Sequence, residues 1–192
     1  MKPLVLVVLM SGIIPWAAQA ALKATDAAPV FTAQASLAGN AFQYSLKDAL
    51  KKGVVVVYFY PSAYTGGCNI QAHTFATDMD KFTAAGATVV GVSLDSIQRL
   101  NDFSADPDYC AGKLPVASDA DGSIAKSYDL TVKGPMAGMK DSRGKEIDHG
   151  FTERTTFIVT PDGKIAATVG GMSPADNVDH TLQIVQQLAA KK

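Results

Sequence analysis

The amino-acid sequence predicts an α/β sandwich in which a central mixed sheet is flanked by helices and preceded by an N-terminal hairpin. Residues 54–60 are β-branched or aromatic with no polar alternation, a pattern typical of strands buried on both faces, and residues 88–93 predict another buried strand. Helical periodicity between these strands indicates a crossover of the kind that joins parallel strands. A later strand pair, residues 155–160 and 164–169, is joined by a Pro-Asp-Gly turn and makes the predicted sheet mixed.

The remaining elements follow from local signals in chain order. Residues 31–44 predict the two short strands of the N-terminal hairpin around a Gly-Asn turn. The predicted helices cover residues 46–52, 68–85, 96–105 and 123–128, with a C-terminal helix marked by the apolar stripe Val178, Leu182, Val185 and Leu188. Residues 113–117 are expected to be extended. Residues 130–150 carry several glycines and charges, and we expect a long loop with a weak hairpin there.

Composition limits the classes of function that this chain can have. Its 192 residues suit one domain, and a hydrophobic fraction of 47% excludes general disorder. With 17 Lys and Arg against 18 Asp and Glu, the net charge of -1 gives no surplus for binding nucleic acid. No apolar run is long enough to predict a membrane span. The three histidines are dispersed and there are two cysteines, so we expect no metal site, no haem and no other cofactor.

Residues 1–20 are predicted to be a secretory signal peptide. Lys2 precedes an apolar run at residues 4–14, Pro15 breaks that run, and Ala-Gln-Ala at residues 18–20 supplies a small-x-small cleavage pattern. A short anchor that is retained is the alternative interpretation. Cleavage would leave residues 21–192 as a single domain exported to a bacterial periplasm. That compartment is oxidising, so a disulfide between the two cysteines is permitted there.

Cys68 has the sequence context of a reactive thiol. It follows the pair Gly66-Gly67 and stands at the predicted start of a helix, just beyond a central strand. The unpaired N–H groups and partial positive charge of a helix N-terminus favour the thiolate form of a cysteine. Ligands of open α/β sheets also bind at the carboxyl ends of the strands. We therefore expect Cys68 to be reactive rather than an inert core residue.

The loop that leads to this cysteine resembles the active-site loop of the peroxiredoxins. Residues 60–68, Tyr-Pro-Ser-Ala-Tyr-Thr-Gly-Gly-Cys, match that family's pattern Pro-x-x-x-Thr-x-x-Cys. Residues 154–159, Arg-Thr-Thr-Phe-Ile-Val, with the following Asp-Gly turn, resemble its catalytic-arginine strand. Residues 28–31 and 114–119 are similar to two further landmarks of the family. The resemblance implies a thioredoxin-like fold, and it is strongest to the bacterioferritin-comigratory, or Q-type, group.

The resemblance also implies a role for each site residue. Cys68 would attack the peroxide and become a sulfenic acid, and Arg154 would stabilise both the thiolate and the charge on the departing oxygen. Thr65 would hydrogen-bond the sulfur and the peroxide through its hydroxyl, and Pro61 would shield the thiolate from water. Each of these three residues has an ordinary structural explanation when it is considered alone. Pro61 would end a strand, Thr65 would be a turn residue, and Arg154 would be a surface or salt-bridging arginine. Gln71 departs from the pattern, because many relatives carry an acid there.

Cys110 is implied to be the cysteine that resolves the sulfenic acid. In Q-type peroxiredoxins a resolving cysteine can lie in this region, whereas the other common position, five residues after the peroxidatic cysteine, is His73 here. The resemblance thus implies an intramolecular Cys68–Cys110 disulfide as the turnover intermediate. Two alternatives stay open: Cys110 is a spectator and an external thiol resolves Cys68, or the disulfide is a permanent structural bridge.

The expected function is that of an exported thiol peroxidase. It would reduce hydrogen peroxide and organic hydroperoxides with electrons from a thioredoxin-like dithiol protein, as a monomer or weak homodimer. One alternative is a thiol–disulfide oxidoreductase, but Cys68 is followed by Asn-Ile-Gln and lacks the usual Cys-x-x-Cys motif. The other alternative is a non-enzymatic periplasmic domain that is stabilised by its disulfide.

Overall fold

A mixed sheet of seven strands is the centre of the fold in the computed structural model, which describes residues 21–191. The strands in chain order are β1 Thr32–Leu37, β2 Asn40–Ser45, β3 Val54–Phe59, β4 Ala87–Ser93, β5 Val116–Ser118, β6 Val132–Lys133, β7 Phe151–Thr152, β8 Thr155–Val159 and β9 Ile165–Gly170. Their order across the sheet is β2-β1-β5-β4-β3-β8-β9, and β6 pairs separately with β7. The predicted signal peptide at residues 1–20 lies outside the described residues.

The direction of the strands determines which loops meet at one edge of the sheet. β3, β4 and β5 are parallel, whereas β8 runs antiparallel to β3, with Phe59 opposite Thr155. The carboxyl ends of β3 and β4 therefore lie beside the amino end of β8. The hairpin of β1 and β2 and the hairpin of β8 and β9 are antiparallel. Both predicted hairpins and the mixed character of the sheet are confirmed.

Helices cover both faces of this sheet. They are α1 Leu46–Leu50, α2 Gly66–Ala84, α3 Ile97–Ala105, α4 Ser123–Ser127 and α5 Pro174–Ala189. Successive side chains of a strand point to opposite faces, so Val56 and Tyr58 pack with α2, α3 and α5, whereas Val55 and Val57 pack with α1 and α4. All six residues of β3 are buried, as the unbroken apolar run predicts.

Two segments refine the expectations from the sequence. α2 begins at Gly66, two residues earlier than the expected start, so Cys68 lies within its first turn. Residues 130–150 form the expected loop, closed at its base by β6 and β7 and containing an isolated bridge between Lys140 and Glu146. Most of that loop is exposed, but the side chain of Asp141 is buried. Across residues 21–191, no helix is both long enough and apolar enough to cross a bilayer.

Candidate active site

Cys68 lies at the amino end of α2, at the edge of the sheet where β3 ends. Thr65 is the N-cap, and its carbonyl accepts the hydrogen bond of the Asn69 N–H. The three N–H groups before Asn69 precede the hydrogen-bond ladder of the helix and are oriented toward its amino end. The Cys68 side chain is 2% exposed, so its sulfur is shielded from bulk water. This position combines the positive end of the helix dipole with a desolvated sulfur atom.

Arg154 contacts the sulfur from the neighbouring strand. It precedes β8, whose antiparallel pairing with β3 brings its guanidinium to the start of α2. Nη2 of Arg154 lies 3.3 Å from Cys68 Sγ and donates to it. Nη1 donates to the side-chain oxygen Oε1 of Gln71, one helical turn after Cys68. Cys68 and Arg154 are 86 positions apart in the chain, and the structure brings them into direct contact.

A chain of buried amides holds this guanidinium in place. Gln71 donates from Nε2 to Asn177 Oδ1 at 3.0 Å, and Asn177 also accepts a hydrogen bond from Thr156 at 2.7 Å. Asn177 in turn donates to the carbonyl of Val169 at 3.2 Å. An amide at position 71 accepts from Arg154 and donates to Asn177, which a carboxylate could not do because it only accepts. The sequence marked Gln71 as a departure, and its partner Asn177 was not identified there.

Gly67 provides the space that the guanidinium occupies. A Cβ atom at this position would lie 3.1 Å from Arg154 Nη2 and 3.1 Å from Pro174 Cγ, tighter than ordinary contacts. At Gly66 a Cβ atom would meet nothing within 4 Å. Of the two glycines before Cys68, Gly67 is therefore the one whose missing side chain makes room for the arginine.

Thr65 makes a different hydrogen bond from the one that the resemblance implied. Its hydroxyl donates to the carbonyl of Ser62 at 2.8 Å, rather than to the Cys68 sulfur. The lone pairs of that hydroxyl oxygen remain able to accept a hydrogen bond from a bound peroxide. Between these two residues, Tyr64 has a φ of 59°, a left-handed conformation that costs about 1–2 kcal/mol for a residue with a side chain. The loop is therefore held in a strained conformation by its surroundings.

Pro61 borders a largely apolar cavity. The cavity has a volume of about 440 Å³ and is lined by Pro61, Thr131, Lys133, Met136, Met139, Phe151, Thr152 and Glu153. Met136 and Met139 come from the 130–150 loop and are partly exposed. A cavity of this kind can hold the hydrocarbon part of a small molecule, because methionine side chains are flexible and pack against varied shapes.

Cys110 lies deeper in the protein, in the turn that follows α3. It is fully buried, and it belongs to the same hydrophobic cluster as Cys68. The structure describes both cysteines as free thiols. Burial raises the pKa of the Cys110 thiol, and the nearby Asp106 carboxylate raises it further. Cys110 is therefore protonated in this conformation, and its reaction with Cys68 would need a rearrangement that brings the two sulfurs together.

Metal binding has no candidate in the part of the chain that the structure describes. Residues 21–191 contain no group of three or more His, Cys, Asp and Glu side chains arranged to hold an ion. The chemistry of this site is built from a thiol, a guanidinium, amides and backbone N–H groups.

Comparisons with known proteins identify the family of this chain and several of its relatives. Residues 24–168 match the sequence model of the AhpC/TSA family. The peroxiredoxin Bcp of Escherichia coli is 30% identical over 168 residues, which cover 88% of this chain and 98% of the relative. The peroxiredoxin Bcp of Xanthomonas campestris is 30% identical over 128 residues, 67% of this chain and 73% of the relative.

Solved structures of similar proteins share the fold. Peroxidoxin BcpB from Mycobacterium tuberculosis superposes with a TM-score of 0.71 at 25% identity, covering 86% of this chain and 97% of that one. The bacterioferritin comigratory protein of Xanthomonas campestris, described with an alkyl peroxide reduction activity, superposes with a TM-score of 0.64 at 29% identity. That match covers 81% of this chain and 91% of the other.

Proposed function

This chain belongs to the AhpC/TSA family of peroxiredoxins, which are thiol-dependent peroxidases, and we propose that Cys68 is the thiol that attacks the peroxide. The observation that carries the assignment is the 3.3 Å contact between Arg154 Nη2 and Cys68 Sγ at the start of α2. A guanidinium and a helix N-terminus both stabilise negative charge, so both favour the thiolate. Only the thiolate is nucleophilic enough to displace a peroxide oxygen.

The proposed first step is a displacement at oxygen. The Cys68 sulfur attacks the terminal oxygen of a hydroperoxide, so that an S–O bond forms while the O–O bond breaks. The sulfur is oxidised by two electrons to a sulfenic acid, and the departing alkoxide takes a proton and leaves as an alcohol. Arg154 and the helix N–H groups stabilise the charge that develops on the departing oxygen. The Thr65 hydroxyl oxygen accepts a hydrogen bond from the peroxide and helps to orient it.

The cavity beside Pro61 supports alkyl hydroperoxides as substrates in addition to hydrogen peroxide. Its walls at Met136, Met139 and Phe151 are apolar, and Pro61 of the active-site loop forms part of its lining. A hydrocarbon chain placed there would be removed from water, which is favourable by about 25 cal/mol per Å² of buried apolar surface. The alkyl peroxide reduction described for the Xanthomonas campestris relative supports the same substrate class.

The proposed second step is resolution by Cys110. Its thiol loses a proton and its sulfur attacks the Cys68 sulfenic acid, so that an S–S bond forms, the S–O bond breaks and water leaves. Because the two cysteines are separate free thiols in the structure, the start of α2 and the turn that carries Cys110 must rearrange to bring the sulfurs into bonding distance. A thioredoxin-like dithiol protein would then supply two electrons and two protons to restore both thiols. Failure of every thioredoxin-like donor to reduce the disulfide would contradict this part of the proposal.

Export remains a proposal from the signal-like residues 1–20. Fractionation of bacterial cells that express the full chain, followed by N-terminal mass analysis, tests it. We expect periplasmic protein that begins at Ala21. A chain that keeps Met1 and stays in the cytoplasm would contradict export and leave the catalytic assignment untouched.

The catalytic proposal is tested by intact mass and free-thiol counts after one equivalent of hydrogen peroxide. The wild type is expected to lose both thiols rapidly, Cys110→Ser to stop at a sulfenic acid on Cys68, and Cys68→Ser to stay unreactive. If Cys110→Ser turns over with an added thiol at the wild-type rate, Cys110 is not the resolving residue. If Cys68 reacts no faster than an ordinary exposed thiol, Cys68 is not a peroxidatic cysteine.

A further inference from the structure

A buried carboxylate lies directly behind the active-site loop. Asp95 follows the carboxyl end of β4, on the same edge of the sheet as the Cys68 loop, and its side chain is fully buried. The donors to its two oxygens are the Ala63 N–H at 2.8 Å, Ser62 Oγ at 3.0 Å, Ser93 Oγ at 2.7 Å, Arg99 Nε at 2.7 Å and His149 Nε2 at 2.8 Å. Two of these five donors belong to the active-site loop itself.

Arg99 binds the other backbone polar group of Ala63. Its Nη2 donates to the Ala63 carbonyl at 2.9 Å and pairs with Asp141 at 2.9 Å. Ala63 thus has its N–H bound to Asp95 and its carbonyl bound to Arg99. Ala63 lies in the middle of the segment from Pro61 to Thr65. Fixing its backbone therefore limits where Pro61 and Thr65 lie relative to the Cys68 sulfur.

His149 joins this carboxylate from the 130–150 loop. Its Nε2 lies 2.8 Å from Asp95 Oδ1, and its Nδ1 lies 2.7 Å from the Gly150 carbonyl oxygen. A carboxylate and a carbonyl only accept, so both contacts are hydrogen bonds only when the imidazole carries both protons. Burial by itself lowers the pKa of His149, but its hydrogen bond to Asp95 and that carboxylate's charge outweigh the effect and raise the pKa above its ordinary value.

The charges around His149 are consistent with a protonated ring. Asp95 follows β4, Arg99 comes from α3, and Asp141 and Arg143 come from the same loop as His149. Asp102 of α3 lies 3.9 Å from Arg143 as a more distant third carboxylate. This network of ion pairs joins three carboxylates to two guanidinium groups and the imidazole, and Asp95 is the carboxylate that contacts His149, whereas the charge of Arg99 opposes protonation of the ring.

The same loop also holds the strained residue of the active-site loop. The N–H of Ser142 donates to the Tyr64 carbonyl at 2.8 Å, and the guanidinium carbon of Arg143 lies 3.2 Å from the centre of the Tyr64 ring. The Nε and Nη2 atoms of Arg143 donate to Asp141 Oδ2 at 3.2 and 3.0 Å. The 130–150 loop thus contacts the active-site loop at Tyr64 and, through Asp95, at Ala63.

We propose that Asp95 and His149 are positioning residues for the peroxidase reaction, which hold Pro61 and Thr65 in place beside Cys68. This inference rests on the proposed function of Cys68. Both hydrogen bonds of His149 form when its ring is protonated, because Nε2 then donates to Asp95 and Nδ1 to the Gly150 carbonyl. As the pH rises through the pKa of His149, the ion pair with Asp95 is lost and the active-site loop becomes less restrained.

His149→Gln is the variant that tests the proposal, with His180→Gln as the matched control. Glutamine offers a donor amide without a charge, so it imitates the neutral ring. His180 is exposed on α5, away from this network. The second-order rate constant of Cys68 oxidation is measured from pH 5 to 9 for all three proteins. We expect the ratio of wild type to His149→Gln to be on the order of tenfold at acidic pH and to approach one at high pH. His180→Gln should follow the wild type throughout.

Amide hydrogen exchange of residues 60–66 provides a readout that needs no peroxide. Exchange should be faster in His149→Gln than in the wild type at acidic pH, and equal at high pH. The reason is that Asp95, which accepts the hydrogen bond of the Ala63 N–H, is less firmly fixed without the charged imidazole. A rate ratio that does not change with pH, together with unchanged exchange, would overturn the proposal. A wild-type Cys68 that does not react with peroxide would refute the proposed function instead, and the exchange data would still decide the role of His149.

Discussion

Replacing Gly67 by alanine should slow the peroxidase reaction while the protein stays folded. The added Cβ atom would lie 3.1 Å from Arg154 Nη2 and 3.1 Å from Pro174 Cγ, so moving away from one neighbour presses on the other. Ordinary contacts between such atoms begin near 3.5 Å, so the guanidinium must shift by about 0.4 Å. The atom that shifts is the one that donates to the Cys68 sulfur at 3.3 Å.

The size of the effect follows from that displacement. A shift directly away from the sulfur widens the gap to about 3.7 Å, and Coulomb's law with an effective dielectric constant of about 20 makes this a loss of about 0.5 kcal/mol. Weakening a hydrogen bond to a charged group adds about 1 kcal/mol. The total of about 1–2 kcal/mol corresponds to a decrease of about 5- to 30-fold in kcat/KM for the peroxide.

Gly66→Ala is the matched control, because its Cβ atom would meet nothing within 4 Å. Both variants replace glycine by alanine in the first turn of α2, so both should stabilise the helix by up to about 1 kcal/mol. The assay is the second-order rate constant of oxidation by hydrogen peroxide, alongside chemical unfolding. If Gly67→Ala reacts as fast as Gly66→Ala, the position of the guanidinium does not limit the reaction and the reasoning fails.

Three further predictions concern the core, the amide chain and the pH dependence of stability. Gly91→Ala should lose about 1–3 kcal/mol in chemical unfolding, because a Cβ atom would lie 2.7 Å from the buried Tyr58 ring; unchanged stability would contradict this packing. Gln71→Leu should lower kcat/KM on the order of tenfold by removing an acceptor of the active-site guanidinium, whereas an unaffected rate would show that the acceptor is dispensable. Burial raises the pKa of Asp95, but the hydrogen bond and the charge of His149 outweigh burial, so the pKa of Asp95 is lowered overall. The stability that Asp95 contributes is therefore present above its ordinary pKa of 3.8 and is lost as the pH falls further. The pKa of His149 is raised, so the stability that it contributes is present below pH 6.5 and is lost as the pH rises. The free energy of unfolding of the wild type should therefore exceed that of His149→Gln most between pH 3.8 and pH 6.5. A constant difference across the whole pH range would contradict the pairing.

Much of the fold and the main residues of the site were predictable from sequence. The unbroken apolar run at residues 54–60 predicted a strand buried on both faces, and the structure confirms it over Val54–Phe59, because only such a strand needs no polar alternation. The turn at residues 161–163 predicted the last hairpin, since it lies between two runs of β-branched residues. Local signals of this kind depend on neighbours in the chain, and they also predicted that Cys68 lies at a helix start.

The amide chain and the carboxylate network could not be predicted from spacing. Gln71 and Asn177 are 106 positions apart, and they meet only because α2 and α5 pack side by side on one face of the sheet. Asp95 had one available signal: it follows a buried parallel strand, and such strand ends share the edge where Cys68 lies. Nothing in the sequence indicated that His149 would reach it, because a 21-residue loop has no periodicity that determines its path.

The sequence by itself determined the family and the type of each long element, and it placed Cys68 at the start of a helix, since these depend on local residue order and short motifs. The tertiary structure decided which donors surround that thiol. Antiparallel pairing of β8 with β3 brings Arg154 to the sulfur, and the absent side chain of Gly67 leaves room for it. Strand register and helix packing are properties of the whole chain, so residues far apart acquire a common function only when the sheet is complete.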